Sequence, residues 1–251
     1  MDVFVRRKRK MNIISKITRE KDNLGRRHAI FLIGLFICSF GVACTTKAGL
    51  GTTPTVSIPY TLSLIFTDLS FGNWLIIFSM LQIIAQIIML RKRTVVSEIV
   101  IQVVLTFAYG YLTDFSFSIL KGLEVNSYML KIIFLLIGCV IIAFGVYLEL
   151  LGNVGMLSGD AFIKAIATIT NKEYGNVKII TDVSMSVISA TLAVAVLHRL
   201  AGVREGTIIA ALMIGIIIKT VKLIIPVIPL LKMSMVGGKL QKAELIFLIM
   251  V

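Results

Sequence analysis

Two short stretches of this chain combine the residue types that bind small polar molecules: Lys47, Gly49, Gly51, Thr52, Thr53 and Pro54 in the first, Gly155, Ser158, Gly159 and Asp160 in the second. Glycine interrupts a helix, whereas hydroxyls and proline suit the first turn of a new one, where a hydroxyl caps free amides. A helix starting there directs its remaining amides and the positive end of its dipole at whatever lies in front, a setting for an anionic or carbonyl-bearing ligand. Lys47 adds a full positive charge, unless its stem snorkels to a membrane interface. The run from Gly155 to Gly159 also fits a small-residue packing motif, so close helix contact is the alternative to binding.

Other polar groups in apolar surroundings are few. An ionised side chain at a bilayer centre costs ~2.5–3.5 kcal/mol on insertion scales, so such residues tend to face a polar interior. Gln82 and Gln86 stand one helical turn apart, with Gln102 on the next apolar stretch. Together they offer a polar seam or hydrogen bonds between helices. Glu98 and Glu205 each open an apolar stretch, where a carboxylate complements the helix dipole, and Arg204 stands beside Glu205 as a partner. Asp114, Glu149 and Asp182 fall near the ends of apolar stretches, while Lys164 lies midway along a short one, with Glu149 or Asp160 as its expected partner. The chain has no His-Glu-x-x-His, no Gly-x-x-x-x-Gly-Lys-Ser/Thr and no convincing serine and histidine pair. Enzymatic function, a metal ion and a cofactor are therefore not expected. Cys38, Cys44 and Cys139 lack Cys-x-x-Cys spacing and read as small core residues.

Those side chains need a scaffold, and the composition says of what kind. Of 251 residues, 57% are hydrophobic and 16% charged, too apolar a balance for an ordinary soluble domain. Uncharged windows at residues 29–46, 48–67, 69–90 and 132–148 approach the ~20 residues that span a bilayer. The chain reads as an integral membrane protein with several crossings, its first partner the lipid bilayer. That excludes a secreted enzyme, a single-anchor receptor and a DNA-binding protein. The net charge of +13 does not call for nucleic acid, because ten of the 26 Lys and Arg fall within the first 27 residues. Such a cluster is a topology signal that holds the N-terminus in the cytoplasm.

The chain then divides into a basic segment (1–27), a first membrane repeat (28–120), a polar connector (121–128), a second repeat (129–226) and a tail (227–251). Setting Gly41 against Gly145 aligns Gly51 with Gly155. Small shifts then align Gly72-Asn73 with Gly175-Asn176, and Glu98 with Glu205. Each half reads as long helix, glycine break, short helix, Gly-Asn turn, long helix, acidic start, long helix. The pattern predicts an all-α polytopic membrane protein of two sequence-related halves, with about six full transmembrane helices plus two short glycine-broken helices that re-enter the membrane. If both short helices cross instead, eight spans form two parallel repeats, and Arg91, Lys92 and Arg93 lie outside, against the positive-inside rule. Irregular backbone inside hydrocarbon is tolerated only around protein or a cavity, and paired breaks mark the substrate site of secondary transporters.

The strings GVACTTKAGLGTTP (41–54), VSIPYTLSLIF (56–66) and VREGTIIAALMIGIIIK (203–219), with the Gly-Asn turn, resemble the YczE/YyaS/YitT group of bacterial integral membrane proteins, and more closely its uncharacterised DUF6198-type branch. The resemblance runs from about Leu32 to Leu223. It implies a multi-pass protein of the bacterial inner membrane, of unassigned activity and often regarded as a transporter. Two functional readings follow. One is a small permease or exporter that binds an unknown small solute, an anion being one option, at the paired breaks. The other is a non-transporting accessory protein that scaffolds or regulates a partner complex or a membrane-linked biosynthetic enzyme. A second copy of the chain or a partner membrane protein is compatible with either. The first reading predicts a hydrated path to Thr52 and Ser158, the second a dry interior.

Overall fold

The computed structural model describes residues 2–91, 94–123 and 125–224, with side chains described from 25 to 217. The expected tail at 227–251 lies outside the described residues, as do Lys92 and Arg93. The described chain is all helix and connector: α1 Asp2–Lys47, α2 Pro54–Ile65, α3 Phe71–Leu90, α4 Val96–Ile119, α5 Tyr128–Gly152, α6 Ser158–Thr170, α7 Tyr174–Leu197 and α8 Glu205–Ile224. Five segments are long and apolar enough to cross a membrane: Gly25–Lys47, Phe71–Leu90, Val96–Ile119, Tyr128–Gly152 and Tyr174–Leu197. In α8 the shorter run Glu205–Ile217 is apolar. The first helix was expected near residue 28 but starts at Asp2. The basic segment is rich in Lys and Arg and has no proline, so nothing in it stops the helix from continuing.

The outer surface is apolar and the interior partly polar, the reverse of a water-soluble protein. Leu81, Ile88, Val104, Tyr111, Val183 and Leu212 are more than half exposed, whereas Ser39, Thr45, Thr52, Ser57, Thr61 and Thr113 are fully buried.

At the centre α1 and α5 cross through glycines. A methyl on Gly41 would lie 2.7 Å from the Ile142 nitrogen, one on Gly138 2.9 Å from the Thr45 nitrogen, and one on Gly145 2.5 Å from the Cys38 nitrogen. Going up α1 from Phe31 through Cys38 to Thr45, the partners in α5 descend from Gly152 through Gly145 to Gly138, so the two helices are antiparallel. Exchanging the halves maps most of the packing onto itself. The α1·α5 contact is its own image, α2 lies on α7 as α6 lies on α3, α4 lies on α1 as α8 lies on α5, and α2 touches α3 as α6 touches α7. One large contact breaks the symmetry: α3 packs along α4, and the described parts of α7 and α8 share no comparable contact.

Candidate functional site

The first break is a fixed turn. Gly49 and Gly51 have φ of 70° and 103°. A side chain on Gly51 would strike the Thr207 hydroxyl and come within 2.7 Å of the Arg204 nitrogen, so only glycine fits. The Thr52 amide donates to Gly202 O (2.9 Å) and the Gly206 amide to Leu50 O (2.8 Å). The Thr46 and Thr52 hydroxyls share a 2.9 Å hydrogen bond. Arg204 donates through one terminal nitrogen to Gly49 O at 3.2 Å, and through Nε and the other terminal nitrogen to the Glu205 carboxylate at 3.3 and 3.2 Å. The break is thus tied to the α7–α8 connector of the opposite half. Between them lies a cleft of about 290 Å³ lined by Thr46, Gly49, Gly51, Tyr60, Arg199 and Arg204, among others. Lys47 closes α1 half-buried and does not line it.

The second break leaves α5 through Asn153 in the left-handed conformation (φ 45°). Arg27 caps this helix end, donating to Gly152 O at 3.0 Å and Asn153 O at 2.7 Å, a cation where the dipole favours one. Gly155 faces α4, where an added methyl would sit 2.7 Å from Ile101 Cγ2.

Both short helices begin without a side-chain cap, at Thr53 and at Leu157, which corrects the expectation that hydroxyls close these helix ends. The Thr52 hydroxyl is bonded to Thr46, and the cap position before α6 falls on Leu157, which carries no oxygen. The two starts meet. A methyl on Gly159, second residue of α6, would lie 3.3 Å from Cγ2 of Thr55, second residue of α2, and 3.8 Å from Gln82 Oε1. The meeting point is deep, because the adjacent Val56 packs in one cluster with Cys38, Val42 and Ile142 of the α1·α5 crossing. Buried Pro54 and Ser158 open the two helices.

Gln82 stands beside this point, and α3 and α4 hold further buried polar atoms without hydrogen-bond partners: with Gln82 Nε2 these are Gln86 Oε1, Gln102 Oε1 and Thr106 Oγ1. The three glutamines are 6%, 4% and 3% exposed. Since α3 and α4 pack with Gly72 against Gly110 and Asp114, the antiparallel run brings Gln102 to about the level of Gln82. Buried polar groups without partners are costly in a packed core and are common where a polar ligand or water enters.

The remaining charged residues are spread more widely. Asp160 turns to α7, accepting from the Tyr174 hydroxyl at 3.1 Å and pairing with Lys178 at 3.4 Å, and Lys178 also lies 3.8 Å from Asp182. Lys164 is exposed, its Nζ 3.9 Å from Met156 Sδ, so the partner of Asp160 is Lys178 and not Lys164. Glu149 is half-buried, with one buried oxygen lacking a partner, as has Asp182. Glu98 and Glu205 are exposed in the first turns of α4 and α8. Sequence reading missed Thr55, Tyr60, Thr106 and Arg199 as site residues. Thr106 stands one helical turn after Gln102, whereas nothing near Arg199 in the chain marks it out.

These features define a multi-pass, all-helical membrane protein, several of whose helix contacts recur between its two halves. The chain belongs to the family of unknown function DUF6198, whose profile matches residues 25–223. It is similar to the uncharacterized protein YyaS of Bacillus subtilis (strain 168), 29% identical over 126 residues. That match covers 49% of this chain and 60% of the relative, so the likeness spans less than two thirds of that protein. No solved structure matches the chain.

Proposed function

We propose that the chain is a small permease of the bacterial inner membrane, its N-terminus cytoplasmic, whose solute binds where α2 and α6 meet. The observation that carries this reading is the approach of two helix starts that lack a side-chain cap, with Thr55 of α2 against Gly159 of α6, Gln82 beside them, and buried, unpartnered atoms on Gln82, Gln86 and Gln102. Two positive helix ends and free amide groups form a preorganised polar centre in an otherwise apolar protein.

Helix lengths and parity support opposite insertion of the two halves. With 12 and 13 residues, α2 and α6 are about 18 and 20 Å long, short of the ~30 Å hydrocarbon layer. Crossings by α1, α3 and α4 alone invert the second half and make α1 and α5 antiparallel, as they are. An additional crossing by α2 would leave them parallel. The broken symmetry supports alternating access. One half has α3 packed on α4, the other has no comparable contact between the described parts of α7 and α8 and has the Arg199 cleft nearby, and exchanging these arrangements yields a state that opens the other way.

The test is cysteine accessibility at Thr55→Cys and Ser158→Cys in a chain with Cys38, Cys44 and Cys139 replaced, using a membrane-impermeant thiol reagent from each side. A permease gives labelling of at least one position from both sides. Protection of both positions from both sides, in protein shown to be folded, contradicts it and favours the accessory reading.

A further inference from the structure

We infer that the cleft between the first break and the α7–α8 connector is a capture site for an oxyanion, held by Arg199. The two arginines of the cleft differ in their commitments. Arg204 has its nitrogens engaged by Glu205 and by Gly49 O, and it builds the wall. Arg199 is exposed, and no carboxylate among the described residues lies within ion-pair distance of it. Tyr60 lines the same cleft as Arg199, and its ring is fixed edge-on against Phe71 at 5.4 Å. It adds a phenol to the lining that includes the Arg199 guanidinium. The walls between them include Gly49, Gly51 and Gly202, which leave bare backbone.

A planar guanidinium matches two oxygens of a carboxylate or phosphate. The cleft volume of about 290 Å³ equals roughly ten water molecules, room for a phosphate or a short dicarboxylate with some hydration. Thr46 and Gly51 at its inner edge adjoin Thr52, two residues before α2. The cleft therefore lies on the way to the uncapped helix starts, and its role as an entrance rests on the permease reading, although anion binding itself does not. The same oxyanion chemistry belongs to a free solute and to an anionic lipid headgroup.

The experiment uses the full chain with Cys38, Cys44 and Cys139 replaced and a reporter at Ala201→Cys, with Leu200→Cys as a second reporter because Ala201 is half-buried. The rate of maleimide modification is measured in phosphatidylcholine nanodiscs at constant ionic strength. Sodium phosphate or sodium succinate should slow it several-fold, with half the effect near about 1 mM, and Arg199→Gln should abolish the protection while Lys121→Gln leaves it intact. Protection by phosphatidylglycerol nanodiscs without added anion, lost in Arg199→Gln, assigns the site to a lipid headgroup. Rates unchanged by phosphate, succinate and phosphatidylglycerol, or protection that survives Arg199→Gln, overturn the inference. Anion protection together with shielded Thr55→Cys and Ser158→Cys removes the permease reading and keeps the cleft. Hydrated helix starts without anion protection do the opposite.

Discussion

Asp114 shows what a single side chain does here that its position in the chain does not reveal. Its carboxylate accepts from the Ser70 hydroxyl and from the Gly72 amide (2.7 Å), while Ser70 in turn accepts from the Asn73 amide at 3.1 Å. An aspartate of α4 thus closes the N-terminus of α3, where a negative charge is also favoured by the dipole. Asp114→Ala should lower stability by about 1–3 kcal/mol, and Asp114→Asn by less because one acceptor remains, as read from melting temperatures in detergent. In the sequence Asp114 was only a carboxylate near a helix end; which helix it serves depends on a partner 44 residues away. The same limit explains Lys164 and the missing hydroxyl caps. Residue type indicates what a group can bond, and the packing decides what it meets.

Apart from the start of α1, helix boundaries were legible because glycine, proline and charge punctuate the apolar runs, and the short elements after Gly51 and Gly155 fall where those signals place them. The glycines inside α1 and α5 were harder to interpret, since a helical glycine reads alike whether it faces lipid or another backbone. Here it makes the central crossing. Gly145→Ala puts a methyl 2.5 Å from the Cys38 backbone nitrogen, which cannot rotate away. It should destabilise the protein by about 1–3 kcal/mol, whereas Gly25→Ala, with nothing within 4 Å, should be neutral or slightly stabilising. Equal melting temperatures for the two variants would show that the α1·α5 contact is looser than its geometry indicates.

The all-helical membrane class was legible in the hydropathy, whereas the order of punctuation pointed to two related halves and only weakly to their relative direction. Positive charges on the connectors separate the six-span and eight-span arrangements by only a few residues. The antiparallel approach of α1 and α5 adds a constraint of a different kind, because it fixes the parity of the crossings between them. Under the permease reading proposed above, the polar centre, the Arg199 cleft and the uneven packing of α3 on α4 against α7 and α8 all take their functional meaning from an inversion of the halves. Single cysteines at Asp68, Lys121 and Leu200, all exposed in connectors, test it directly when labelled with an impermeant reagent in intact and permeabilised cells. Inverted halves with re-entrant short helices place all three on one side of the membrane. Leu200→Cys reporting the side opposite to Asp68→Cys and Lys121→Cys would mean that the short helices cross and the halves run parallel.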